Sequence, residues 1–272
     1  MEQVKYDIFQ NYDFVKDLYK YNLFGNLLKR VGYEVNTDNE NYCIISFDTA
    51  DNDVWLWTKD DINEELLKDV IKSLPDYGKI VYKAHISNFM DHNIDVINNS
   101  KEEFGCYMCK EPIKPDKELT CNFEIASLLD QDELTDLWLK NHKESDKDYI
   151  INDETRNQAS DYIEKWLKVN GLYLLRDVTN NKIICFASIQ NVPEIGCSKI
   201  AMAYTREEYR SSGYMKKLIY EMTNIVLNNN LIPVLQTDIN YIPSNKSYQN
   251  VGYVLDGTMI QANYEKKYKM SL

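Results

Sequence analysis

Arg210, Ser211, Ser212 and Gly213 are the residues best arranged for chemistry, because a helical pattern follows them at once. Ahead of them stands an apolar run, Ile200–Tyr204, short enough to be a buried strand. Behind them Leu218, Ile219, Met222, Val226 and Leu227 are spaced for one apolar helix face. A strand, a tight loop and a helix start together make an anion site. The first four N–H groups of a helix have no partner inside it, and the helix dipole adds partial positive charge there. A phosphate or pyrophosphate meets that need. Gly213 lets the backbone approach a ligand closely, and Arg210 adds a forked cationic donor. Taken alone, Arg-x-x-Gly is a weak signal and reads better as a polar turn between a strand and a helix.

The elements around this loop follow from periodicity. Thr120–Ile125 reads as a strand, Gln131–Leu139 as a helix, and residues 153–170 as a second helix with Ala159, Ile163, Trp166 and Leu167 inward. Strands follow at Tyr173–Arg176, Lys182–Asn191 and Ser198–Thr205, with a hairpin turn at Thr179-Asn180-Asn181. After the loop and its helix come a strand at Val234–Asp238, a short helix at Ser244–Val251 and a closing strand from Tyr253 to Tyr264. In the first half, residues 5–31 read as two helical segments, one with Phe14 and Leu18 on a face, the other with Leu23, Leu27 and Val31. Strands at Tyr42–Phe47 and Val54–Thr58, a helix from Ile62 to Leu74, a strand at Lys79–Ala84, a weak helix at 86–98 and a strand at Phe104–Lys110 complete it. Two prolines among charges at 111–118 read as a linker. The expected domains are therefore 1–112 and 119–272, joined by 113–118. The order strand, strand, helix, strand, helix, strand from Tyr42 repeats the last six elements of the second half, which suggests two related units. The first unit has only Lys59-Asp60-Asp61 where the second has Arg-x-x-Gly.

Composition narrows the classes. A length of 272 residues favours two domains, and a hydrophobic content of 44% is that of a globular chain. A net charge of -12 argues against nucleic acid as a partner and suits a cationic one. No run reaches the ~18 apolar residues of a membrane span, and Met1–Asp7 holds no secretory core, so a cytoplasmic location is expected. The six cysteines then read as free thiols. Cys106 and Cys109 form a C-x-x-C, but on a strand such positions face opposite ways, so no metal is expected. No histidine follows His142, which excludes a catalytic histidine from the later half.

Downstream of the loop stands Ser244-x-x-x-Tyr248-x-x-x-Gly252-Tyr253. With Ala203-Tyr204-Thr205 and Arg210-Ser211-Ser212-Gly213-Tyr214-Met215, it resembles the motifs of the GCN5-related N-acetyltransferase (GNAT) family. The resemblance covers about residues 119–266, and the N-terminal part is similar to the degenerate second copy of two-domain members. It implies an α/β fold with a mixed sheet, the acyl-CoA N-acyltransferase fold, in tandem arrangement. It implies acetyl-CoA as cofactor. The pyrophosphate would sit on Arg210, Ser211, Ser212, Gly213, Tyr214 and Met215, and the pantetheine arm would pair with the edge of Met202, Ala203 and Tyr204. Ser244 and Ser247 belong to the same cofactor-binding set. Tyr248 would be the general acid for the departing thiolate, and a phenol with pKa near ~10 suits that task. The acceptor would be a primary amine of a small molecule or peptide, and a homodimer is compatible with the fold.

Three departures from the family pattern stand out. Met215 replaces a small residue, Tyr241 stands where the family often has Asn, and Ser198–Thr205 has no carboxylate to act as base. Asp238, Asp153 and Glu154 remain as bases, beside a bound water or an amine already partly neutral, and Arg206 remains as a further phosphate contact. The aromatics Trp138, Tyr149, Tyr162 and Trp166 are either substrate lining or core. A non-catalytic CoA-binding module and a longer acyl donor stay open beside the acetyltransferase.

Overall fold

The computed structural model describes residues 12–21, 33–38, 41–48 and 53–267. The chain folds as mixed α/β structure and divides into two compact units. Unit 1 comprises Met1–Tyr107, Gln236–Ile242 and Leu255–Leu272, and unit 2 comprises Met108–Leu235 and Pro243–Val254. These units do not follow the linear partition at 113–118. The reason is β12 (Val254–Lys266), which pairs antiparallel with β4 (Tyr77–Lys83) through seven register pairs, Met259↔Lys83 to Glu265↔Tyr77. A closing strand expected to finish the second domain is thereby built into the first unit.

Unit 1 starts with α1 (Tyr12–Lys20), which buries Phe14 and Leu18. The second expected helical face, Leu23, Leu27 and Val31, lies outside the described residues. β1 (Tyr33–Asp38), β2 (Asn41–Asp48) and β3 (Asp53–Thr58) form an antiparallel meander. α2 (Glu64–Ser73) then crosses over, and β4 joins β3 in parallel. α2 starts where it does because the Asn63 side chain accepts the Glu65 N–H at 2.7 Å, while Glu64 and Glu65 complement the dipole. Its apolar face, Leu67, Val70 and Ile71, packs on Leu56, Ile80 and Tyr82 of the sheet. α3 (Ser87–Asn93), β5 (Ile94–Val96) and β6 (Glu102–Met108) follow.

Unit 2 repeats this plan with additions. β7 (Cys121–Ile125), β8 (Leu172–Asp177), β9 (Ile183–Val192) and β10 (Cys197–Thr205) are antiparallel neighbours. α6 (Tyr214–Asn228) crosses over to β11 (Ile232–Asp238), which joins β10 in parallel. α4 (Gln131–Ser145) and α5 (Asp153–Lys168) sit between β7 and β8 in the chain. They bury Leu134, Leu137, Ile163 and Leu167 against Leu172, Leu174, Phe186 and Tyr204. α7 (Ile242–Gln249) precedes β12. Thus β2–β3–α2–β4 and β9–β10–α6–β11 share one plan: an antiparallel pair, a helix, and a parallel return.

Lys83, at the end of β4, is 1% exposed and fully provided for. Its ammonium donates to Asp17 at 2.8 Å, to the Thr58 carbonyl at 3.0 Å and to Asp60 at 2.5 Å, with the Tyr21 and Trp57 rings each 5.1 Å away. Removing one member of such a buried set leaves uncompensated charge. Lys83→Met is therefore expected to cost about 3 kcal/mol in urea denaturation. A variant as stable as the parent would show that the ammonium carries no net stabilisation.

Candidate active site

β10 is irregular where the site begins. Ala201 pairs with Ser188 and Tyr204 with Phe186, so β10 carries one more residue than β9 between these pairs. The extra residue is a bulge, and Met202 takes up its turn with φ of +55°. On the other side, the parallel register with β11 runs from Cys197↔Ile232 to Lys199↔Val234 and stops. The Met202–Tyr204 backbone lies past the end of that register, at the edge where β10 leaves β11.

The following loop is tied down residue by residue. Arg206 donates from Nε to the Ile183 carbonyl at 2.6 Å and pairs through Nη2 with Glu133. It braces the loop from below and is not free for phosphate. Tyr209 donates its hydroxyl to Asp177 at 2.7 Å. Arg210 donates from Nε to the Thr205 carbonyl at 3.0 Å and from Nη2 to Glu144 at 2.6 Å. The expected phosphate fork of Arg210 is thus turned back on the loop's own root, and the anion donors that remain are backbone N–H groups. Ser211 has φ of +58° and Gly213 φ of +93°.

The start of α6 differs from the starts of α2, α4 and α5. Each of those carries acidic residues in its first turn; α6 carries none, and Gly213 at its N-cap makes no side-chain capping bond. Lys216 and Lys217 follow immediately, against the dipole's preference. A Cβ at Gly213 would have only Leu119 within reach, at 4.0 Å, so the space over the loop is open. This uncapped, lysine-flanked helix start fits a bound pyrophosphate. Met215 is half-buried, so its long side chain finds room without disturbing the helix.

Tyr248 lies on α7 and is 8% exposed. Burial pushes its phenol above the usual value, and a hydrogen bond with Ser244 partly offsets this. Its ring meets Tyr253 edge-on at 6.0 Å between centroids, and the Tyr253 hydroxyl pairs with Thr223 at 2.8 Å. Ser247 donates to the Pro243 carbonyl at 2.9 Å, a bond internal to the helix. Gly252 has φ of +97°, and a Cβ there would lie 2.6 Å from the Glu111 carbonyl. The motif glycine is needed because residues 111–113 pass directly over this turn.

The carboxylates expected as bases are occupied elsewhere or remote in character. Asp153 and Glu154 are exposed in the first turn of α5. Asp238 accepts the Asn240 N–H at 2.8 Å. Glu144, absent from the sequence-derived set, is the carboxylate that bonds a β10 side chain: Tyr204 donates to it at 2.9 Å. Its signal was the stripe Leu134, Leu137, Asn141, Glu144 at helical spacing. The four aromatics form a chain of rings on α4, α5 and the segment between them. Trp138 meets Tyr162 at 5.7 Å, Tyr162 meets Trp166 at 6.4 Å, and His142 bridges Trp138 at 3.7 Å to Tyr149 at 5.4 Å. Trp138 and Trp166 pack on the core, which favours the core alternative for those two.

Fold and loop define an α/β domain with an uncapped helix start at a parallel crossover, after a bulged strand. Residues 132–253 match the Acetyltransferase (GNAT) family, and this stretch is a GNAT acetyltransferase domain. Solved structures show the same fold at low identity. An acetyltransferase from the GNAT family of Colwellia psychrerythraea is 10% identical, with 92% of this chain and 90% of that chain covered and a TM-score of 0.59. A GCN5-related N-acetyltransferase from Sphaerobacter thermophilus is 11% identical, covering 85% and 78%, with a TM-score of 0.53. One from Kribbella flavida is 10% identical, covering 95% and 97%, with a TM-score of 0.53. Curated proteins give no match. No described helix is long and apolar enough to cross a membrane.

Two tests follow. Gly213→Ala meets no clash but must hold φ of +93°, so it is expected to lower stability by about 1 kcal/mol and to weaken anion binding. Unchanged melting and unchanged anion affinity would remove the loop conformation from the site. The bonds from Thr179 and then Tyr209 lower the Asp177 pKa from 3.8 to about 2. The stabilisation from this carboxylate is present above its unfolded value and is lost as pH falls through its folded value. NMR titration of Asp177 is expected to give a midpoint near 2; a midpoint near 4 would mean that Tyr209 is not held.

Proposed function

We propose that this chain is an acetyl-CoA-dependent N-acetyltransferase acting on a primary amine. The observation that carries this is the uncapped start of α6 behind the β10 bulge, within a GNAT domain. The cofactor, when bound, supplies an acetyl thioester. Backbone N–H groups from Ser211 to Met215 hold its pyrophosphate, helped by the dipole of α6. The β10 edge at Met202, Ala203 and Tyr204 offers hydrogen bonds to an amide-rich arm in the manner of an added strand. Tyr248 keeps its phenolic proton at neutral pH because burial opposes ionisation, so it can donate to a sulfur anion.

The first unit supports this division of labour as a degenerate copy of the same plan. Its helix α2 is capped by Asn63 and carries Glu64 and Glu65 in the first turn, and the preceding turn holds Asp60 and Asp61. Those groups satisfy the helix start and repel phosphate. A second reading, a CoA-binding module without transfer activity, is favoured by one feature: β10 carries no carboxylate.

Acetyl-CoA is expected to stabilise the protein by about 2.7 kcal/mol at a hundredfold excess over Kd, read as a rise in Tm. No rise at millimolar cofactor would remove the cofactor assignment. Tyr248→Phe is expected to lower kcat by about 10²-fold with acetyl-CoA affinity unchanged. Full activity in that variant would take Tyr248 out of the chemistry.

A further inference from the structure

An alkylamine is an ammonium at neutral pH and must lose a proton before it can attack a carbonyl. β10 itself has no group to take that proton. α4 supplies one at the end of its core-facing stripe. Leu134 and Leu137 are buried, and the same face ends on Glu144, whose side chain is 46% exposed.

Glu144 is held by two neighbours in the same unit. One oxygen accepts the Tyr204 hydroxyl at 2.9 Å; the other accepts Nη2 of Arg210 at 2.6 Å. Arg210 is itself fixed by the Thr205 carbonyl at 3.0 Å and lies 5.4 Å from the centroid of the Tyr204 ring. Each carboxylate oxygen keeps a further acceptor position, and the group still meets solvent. Burial, and then Glu144 itself, push the Tyr204 phenol up to about 12, so Tyr204 stays a donor. A surface carboxylate is thus locked in one orientation, one tyrosine side chain from the strand and one residue past its bulge. Such pre-orientation costs side-chain entropy, and an exposed ion pair returns little stability for it. A binding or proton-accepting role accounts for it better.

We propose that Glu144 receives the acceptor amine: it binds the ammonium and takes its proton. This rests on the acetyl-transfer reading above. The N–H bond breaks and its proton passes to the Glu144 carboxylate. The freed lone pair forms the C–N bond as the C–S bond breaks. The sulfur takes the Tyr248 proton, the new amide nitrogen sheds a proton that restores Tyr248, and Glu144 releases its own proton to water. The acceptor class is therefore a primary alkylamine that is charged at neutral pH.

The test compares wild type, Glu144→Gln and Glu144→Asp. Acetyl-CoA affinity by calorimetry is expected to stay within about threefold, since the loop keeps its backbone donors and its ties through Arg206, Tyr209 and the Arg210–Thr205 bond. Two kinds of acceptor are then used at neutral pH: spermidine and a lysyl peptide, which are protonated, and hydroxylamine, which is largely not. Glu144→Gln is expected to lose about 10²-fold in kcat/KM with the protonated acceptors and little with hydroxylamine, and Glu144→Asp to recover part of the loss. Spermidine binding to the CoA-saturated protein is expected to weaken about tenfold in Glu144→Gln, the loss of one charge-assisted contact. Equal losses with both kinds of acceptor, or no loss, overturn the proposal while leaving acetyl transfer standing. A wild type that binds acetyl-CoA but acetylates none of the three acceptors overturns it as well. A wild type that does not bind acetyl-CoA removes the transferase reading and this proposal together.

Discussion

The start of α6 leaves backbone donors without a cap, and much of unit 2 is arranged around that fact. A helix normally satisfies its first N–H groups with a Ser, Thr, Asp or Asn side chain, or at least draws acids into the first turn. α6 does neither and carries lysines instead. Left to itself such an end frays toward water. It holds because the loop ahead of it is fastened at three points. Arg206 ties to β9 and α4 through Ile183 and Glu133, Tyr209 ties to the β8–β9 turn through Asp177, and Arg210 ties to α4 through Glu144. The polar ties lie around the loop and leave the start of α6 without a side-chain cap.

The same constraint explains the strand in front. If β10 stayed paired with β11 along its length, its edge would be satisfied and closed. The register with β11 stops at Lys199–Val234, and the bulge at Met202 then turns the strand. A bulge costs local ladder bonds, and it sits where re-aiming the backbone opens a site. Strand edge and helix start are therefore two consequences of one local departure from regular pairing.

Much of this was legible from residue types alone. Apolar spacing located α2, α5, α6 and the strands of unit 2 to within a few residues, because burial of one face dictates both period and length. The loop stood out because glycine and charge punctuate the pattern, and Tyr248 through the resemblance of Ser244–Tyr253 to the family motif. What failed depended on contacts between distant residues. α4 was expected to end at Leu139 but runs to Ser145, carried on by His142 against Trp138 and by the attachment of Glu144 to β10 and the loop. Ending it early hid Glu144. β1, with the sequence Tyr-Glu-Val-Asn-Thr-Asp, has a weak alternation and exists through its pairing with β2. The assignment of β12 to unit 1 rests on its register with β4, which no local signal announces.

The two crossovers differ at their helix starts in the charges and caps that the proposed anion site depends on. Both present a helix start after an antiparallel pair, with the same sense of dipole. At α2 Asn63 accepts the Glu65 N–H, and the neighbouring charges are Asp60, Asp61, Glu64 and Glu65. Lys83 bonds the largely exposed Asp60 carboxylate, and although partial desolvation works against ionisation there, that bond holds its pKa below the usual range. That carboxylate stays charged beside the helix start. An incoming phosphate would meet negative charge there. At α6 the donors are open and the cations are Lys216 and Lys217, with the Lys117 ammonium 3.3 Å from the Ser212 carbonyl. The difference lies in a handful of side chains at the turn, which is also why an acidic chain of this net charge can still attract an anion to one place.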